Sequence, residues 1–315
     1  MADLKVFRRG ADGRDVELRG STVERERELQ GRVEGALEAM LGVRFLASEY
    51  STGPWHQGRI DTLGLDEDGV PVVIEFKRGR DAGVITQAGS YLVWLLARRH
   101  EFEALVRRRL GAEVAESVQW QRPRVICIAG DFSRHDRAAA SLYQRDHRVD
   151  LVRYRAFGPD LLTLQLVETV PGFSASRAAS VPASAAGKAG DEPEVVAVPA
   201  GSSQVEVPER LRELYGELDD ALTAAGELEV VVLKHYIAYK RLLNVASVVF
   251  RPSASHRALL VYLRLDPDAV ELEEGFTRDV RGIGHLGTGD LEVRIASSAD
   301  VEKAVPLIRR AVEES

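Results

Sequence analysis

Residues 58–79 read GRIDTLGLDEDGVPVVIEFKRG, and how this stretch is interpreted decides the fold. Two apolar runs, about 59–65 and 71–77, flank the turn-forming cluster DEDG, which is the pattern of a β-hairpin. The second run places Glu75 and Lys77 where an apolar strand ends. Side chains alternate faces along a strand, so Val73, Glu75 and Lys77 share one face and Val72, Ile74 and Phe76 the other. Ile74 and Phe76 are then expected to anchor a core, while Glu75 and Lys77 project into a cleft. The partner strand brings Asp61 to the same neighbourhood. Two carboxylates converging with a lysine suit a hard divalent cation, because Mg²⁺ takes oxygen ligands and uses one or two carboxylates beside waters and phosphate oxygens. A lysine there can orient or deprotonate an attacking water.

Working outward, STVERERELQGRVEGALEAML (21–41) repeats Leu29, Val33, Leu37 and Met40/Leu41 at helical spacing. Ser21 or Thr22 is a candidate N-cap and Gly42 the stop. A strand, VRFLASEY, and a Gly/Pro break follow. Beyond the hairpin, 84–110 reads as one or two helices carrying Gln87 and Tyr91 four apart on one face. Then come a strand RVICIAG, a helix around 134–146, and strands VDLVRYRAF and LLTLQLVE. This mixture predicts an α/β layer fold. Residues 171–206, rich in Ala, Ser, Gly and Pro and without aromatics from 174 to 205, read as a flexible linker. It divides a first domain, 1–170, from a small α+β domain, 207–315. The latter has an opening helix, strands NVASVVFRP, RALLVYLRL and LEVRIAS, and a closing helix over 298–313.

The 315 residues are 45% hydrophobic and 29% charged, the composition of an ordinary globular protein. No apolar run approaches the roughly 20 residues of a membrane span, and the N-terminus lacks a secretory h-region. The single cysteine, Cys127, cannot form an internal disulfide and reads as a buried hydrophobe. These features predict a cytoplasmic protein. Net charge is −7, but residues 1–170 hold 26 Lys+Arg against 26 Asp+Glu, so all of the excess lies beyond them. A neutral first domain is compatible with a basic groove, and net charge does not exclude nucleic acid.

Together, GRID at a hairpin's distance from Glu75-Phe76-Lys77, followed by Gln87-x-x-x-Tyr91, resemble the PD-(D/E)XK nuclease superfamily, in particular its RecB-like and NucS-like members. Ile60 stands where the family name has proline. The resemblance covers about residues 25–165. It implies a restriction-endonuclease-like mixed sheet flanked by helices, Mg²⁺ or Mn²⁺ dependence, and hydrolysis of phosphodiesters in DNA. Asp61, Glu75 and the Phe76 carbonyl would hold the ion, Lys77 would position the nucleophile, and Gln87 and Tyr91 would orient the site or the strand. A further carboxylate is expected from the preceding helix. Glu34 and Glu38 are both candidates, with Glu34 preferred. Arg78 and Arg80 are candidate phosphate contacts, and Trp55 could stack on a base. Related nucleases that cut both strands act as pairs, which leaves a homodimer open. The tail of the chain is similar to a C-terminal domain of unknown function found fused to such nuclease-like domains. Its loop GHLGTGD (284–290) lacks the Lys-Ser/Thr of a P-loop and precedes a strand, so its glycines are read as those of a tight turn. Two other function classes stay open on the sequence: a non-catalytic nucleic-acid-binding module on the same fold, and a protein-interaction scaffold.

Overall fold

The computed structural model describes residues 4–53, 58–80, 83–143, 147–169, 207–253 and 257–315. Trp55 and the linker 171–206 lie outside them. The chain divides into two compact units, Met1–Gly172 and Phe173–Ser315.

The first unit opens with a hairpin, β1 (Val6–Arg9) and β2 (Asp15–Leu18). Helices α1 (Glu26–Glu34) and α2 (Leu37–Leu41) follow, then β3 (Val43–Ser51), β4 (Arg59–Asp66) and β5 (Pro71–Lys77). Three helices come next: α3 (Val84–Ala97), α4 (Arg99–Leu110) and α5 (Ala112–Glu116). The unit closes with β6 (Arg124–Ala129), α6 (Arg134–Tyr143), β7 (Arg148–Phe157) and β8 (Leu161–Thr169). The sheet runs β3-β4-β5-β6-β7-β8. Its first three strands are antiparallel, β5 to β7 are parallel, and β8 is antiparallel again. The architecture is thus the mixed sheet flanked by helices that the sequence predicts. β5 and β6 are buried on both faces, which is why they read as continuous rather than alternating apolar runs. On one face Val73, Val125, Cys127 and Leu151 pack against Ala88, Leu92 and Leu95 of α3.

Two expectations near the start of this unit are corrected. The single helix predicted through 41 is two, broken at Ala36, whose backbone leaves the helical region (φ −140°) just after Gly35. Gly31 and Gly35 each weaken a helix by about 1 kcal/mol relative to alanine. Ser21 is not an N-cap. Its amide and carbonyl both bond to Ala156, at 2.8 and 2.9 Å, so a β-bridge to β7 claims it and α1 begins at Glu26. Gly42 does end α2, in the left-handed region (φ 62°).

The second unit comprises α7 (Glu209–Ala225), β9 (Glu229–Val232), β10 (Ile237–Lys240), β11 (Asn244–Arg251), β12 (Ala258–Leu263), β13 (Thr277–Asp279), β14 (Leu291–Ile295) and α8 (Ser298–Glu313). Its sheet, β13-β14-β12-β11-β10-β9, is antiparallel throughout. One face, including Val248, Leu259, Val261 and Val293, packs on Leu218 and Leu222 of α7 and Ile308 of α8. Ser297 and Asp300 form a reciprocal capping box at the start of α8.

Candidate active site

The site is assembled where β4 and β5 run side by side. Thr62 pairs with Ile74 and Leu63 with Val73, and one further step along this register sets Asp61 opposite Glu75. The Phe76 amide donates to Asp61 Oδ2 at 2.9 Å, which fixes the aspartate at the strand edge. Lys77 Nζ donates to Glu75 Oε1 at 3.0 Å. Asp61, Glu75 and Lys77 are therefore brought together, as the spacing predicts.

One detail of the expected arrangement is corrected. Glu75 does not line the cleft: its side chain is 0% exposed. The open space, about 480 Å³, is walled by Asp61 and Phe76 together with Glu26, Arg27, Gln30, Glu49 and Arg59. Alternation along β5 is intact, but the face bearing Glu75 is covered by packed helices, so Glu75 sits behind Asp61 rather than beside open solvent.

The electrostatics follow from this burial. Desolvation, and next the nearby Asp61 charge, push the Glu75 carboxyl up to about 8, despite the hydrogen bond from Lys77. Asp61 is also raised, by desolvation against the opposing Phe76 amide and Lys77 charge. Burial alone would lower the Lys77 ammonium, but its bond to Glu75 and the surrounding carboxylates leave it raised. Glu75 Oε2 is buried with no hydrogen-bond partner. Buried carboxylate oxygens are rarely left so, and a cation would satisfy this one. Among the described residues no group of three His, Cys, Asp or Glu is disposed to hold a metal. Asp61 and Glu75 still fit Mg²⁺, which needs only one or two carboxylates when waters and phosphate oxygens complete its shell.

Glu34, the preferred helix carboxylate, does not line the cleft. Glu34 Oε1 accepts from Gln30 Nε2 at 3.0 Å and from Thr62 Oγ1 at 2.5 Å, and Thr62 lies on the opposite face of β4 from Asp61. Glu38 is exposed on α2. Glu26, two turns before Glu34 on α1, lines the cleft instead and raises Asp61, Glu75 and Lys77 through its charge. Glu26 Oε1 also accepts from the Arg78 amide at 3.0 Å. Gln30 donates to the Asp61 carbonyl at 2.9 Å and to Ser48 Oγ at 3.0 Å. Glu26, Gln30 and Glu34 form one i, i+4, i+8 stripe, so the expected Glu34 and the cleft-lining Glu26 share a helix face at different depths.

Glu49 is the other residue the spacing missed. It ion-pairs with Arg59 across the β3/β4 pair and adopts φ 52°, a left-handed conformation uncommon for a non-glycine residue. A register shift between Phe45 and Ala47 hides its position opposite Asp61 from simple strand counting.

Gln87 and Tyr91 do not join the centre. Gln87 Nε2 donates to Tyr91 Oη at 2.9 Å, and no hydrogen bond or ion pair links Gln87 to Asp61, Glu75 or Lys77. Tyr91 is 5% exposed within the core beneath α3, a packing position rather than a surface a strand could touch. Arg78 and Arg80 are exposed just beyond Lys77. Arg78 reaches the Glu24 carbonyl at 3.4 Å. Arg80 pairs with Asp131 at 2.5 Å, and Asp131 also pairs with Arg153 at 3.0 Å. The rim they occupy is pinned by Tyr154, whose hydroxyl donates to the Arg78 carbonyl at 2.6 Å and accepts from the Val23 amide at 3.2 Å.

No family model matches the sequence. An uncharacterized protein of Haemophilus influenzae is 24% identical over 314 residues, spanning 99% of this chain and 100% of that one. Among solved structures, similarity is found to an EndoMS–dsDNA2 complex, at 23% identity over 38% of this chain and 41% of that one, with a TM-score of 0.25. A repair endonuclease from Pyrococcus abyssi is similar at 20% identity over 38% of this chain and 44% of that one, with a TM-score of 0.23. The chain therefore spans less than half the length of either solved structure.

Proposed function

We propose that the first unit is a metal-dependent endonuclease that hydrolyses phosphodiester bonds in DNA. The observation that carries this reading is the buried, unpartnered Glu75 Oε2 behind Asp61, with the Lys77 amine 3.0 Å from the other oxygen of the same carboxylate. Asp61, Glu75 and the Phe76 carbonyl would hold Mg²⁺ or Mn²⁺, which when bound supplies charge neutralisation at the phosphoryl oxygens. Lys77 holds and orients the attacking water beside the phosphate. Glu26 is the helix carboxylate of the centre, and its bond to the Arg78 amide keeps the rim after β5 in place. Exposed Arg78 and Arg80 contact the phosphate backbone. Tyr91 supports Gln87 from within the core.

The test is cleavage of labelled single-stranded, duplex and branched DNA in Mg²⁺ or Mn²⁺, with a chelator control. Asp61→Ala and Lys77→Ala are expected to lose activity by about a hundredfold or more, with native circular dichroism. A wild type that cuts none of these substrates overturns the reading. Salt-sensitive DNA binding without cleavage would select the non-catalytic binding module instead.

A further inference from the structure

The second unit covers only one face of its sheet with helices, and the register defines what the other face carries. Leu260 pairs with Val249 on one side and Arg294 on the other, and Tyr262 pairs with Ser247 and Glu292. Glu292 in turn pairs with Arg278, and Arg251 closes the row beyond Val249. Part of this face is closed by the loop GHLGTGD. His285 stacks on Tyr262 with ring centroids 4.3 Å apart and an interplanar angle of 9°. The Thr288 amide donates to Ser247 Oγ at 3.1 Å. Gly287, at φ 83°, lies so close that a Cβ would stand 2.4 Å from Ser247 Cβ, so the glycine is required by the approach of loop to sheet.

The remainder of the face is an open cavity of about 560 Å³. Its apolar lining is Leu260 and the largely buried Phe276, whose ring is covered by Lys303 Nζ at 4.5 Å, and Arg251, Arg278 and Arg294 surround it with Ser253, Thr277 and Glu292. Arg278 is paired with Glu292 at 2.9 Å, whereas Arg251 and Arg294 have no carboxylate partner among the described residues. Residues 171–315 hold 16 Lys+Arg against 23 Asp+Glu. Three guanidinium groups around one cavity therefore run against the charge of their own unit.

We propose that this cavity is a second nucleic-acid site, which takes a nucleotide of a single strand with its base on Leu260 and its phosphates on Arg251 and Arg294. Arginine provides forked donors matched to phosphate, and an apolar side chain accepts any base face without reading sequence. Glu292 distinguishes this occupant from an acidic peptide. Its carboxylate repels a second carboxylate but accepts a hydrogen bond from a base amino group. The site lies outside the Asp61–Glu75–Lys77 centre and is independent of whether that centre turns over.

The experiment measures polarisation of a labelled single-stranded oligonucleotide of about 15 nucleotides with the full chain in a chelator, where no cleavage can occur. Salt is varied between about 50 and 200 mM. Arg251→Ala/Arg294→Ala is expected to bind about tenfold more weakly, with a salt slope shallower by about one to two. Circular dichroism establishes that the variant is folded, and Leu260→Asp, which places a charge against the base, should weaken binding likewise. Unchanged affinity and slope in both variants overturn the proposal, as does displacement of the oligonucleotide by polyglutamate at equal charge. The assay reads binding in a chelator and needs no turnover, so a failure of the nuclease reading registers in cleavage alone.

Discussion

At the scale of single residues, the chemistry turns on where protons sit. Glu75 titrates near 8 in the folded chain and near 4.5 when unfolded, with burial the main cause. Between those values the folded state binds more protons than the unfolded one, so this group makes stability fall as pH rises through the window. Asp61 is shifted in the same direction. Glu75→Gln abolishes the titration. In a chelator, its melting temperature relative to wild type should therefore climb from pH 5 to pH 8, and a constant offset between the two proteins would contradict the assignment. Cys127 gives a second check. Complete burial raises its thiol far above the usual range, so thiol reagents should modify the chain only under denaturing conditions. The sequence made Asp61, Glu75 and Lys77 legible because strand alternation and one turn suffice to bring them together. Glu26 and Glu49 were not legible, since their placement depends on the depth of a helix against a sheet and on a register shift in β3.

At the scale of elements, the first sheet keeps its charged groups at opposite ends. Arg124 and Arg148 enclose Asp150, with Arg124 Nε at 2.7 Å and Arg148 Nε at 3.1 Å, at the start of the parallel strands and away from Lys77. Burial opposes ionisation of Asp150, but the two guanidinium groups overcome it and hold the carboxyl below its usual value. Its stabilising contribution is thus present above the ordinary carboxylate pKa and is lost as pH falls below it. Asp150→Asn would leave two buried cations without their anion, and is expected to cost about 3–5 kcal/mol in chemical denaturation at neutral pH. β5 and β6 were plain in the sequence because unbroken apolar runs mark strands buried on both faces. The β1–β2 hairpin and the short β13 were not, since strands of four and three residues are too short to carry a periodic signal.

At the scale of the molecule, the two units hold separate apolar clusters, and no helix among the described residues is long and apolar enough to cross a membrane. Calorimetry is expected to resolve two unfolding transitions. A ligand that binds only the native form stabilises by about 2.7 kcal/mol at a hundred times its dissociation constant. Saturating Mg²⁺ should therefore raise one transition and leave the other in place, and Asp61→Ala should abolish that shift. A shift of both transitions, or one that persists in Asp61→Ala, would place the cation elsewhere.

The phenol of Tyr154 touches no part of the reacting centre, yet it fastens the approach to α1 and the exit from β5 to a third stretch of chain more than seventy residues away. Losing the hydroxyl alone, as in Tyr154→Phe, would free both segments at once, at a cost of about 1–3 kcal/mol. Cleavage should then decline more steeply than melting temperature does. Tolerance to mutation around the rim after β5 is thus governed by a knot of main-chain tethers, and drift at one aromatic position can detune Glu26 and Arg78 together while Asp61 and Glu75 remain unchanged.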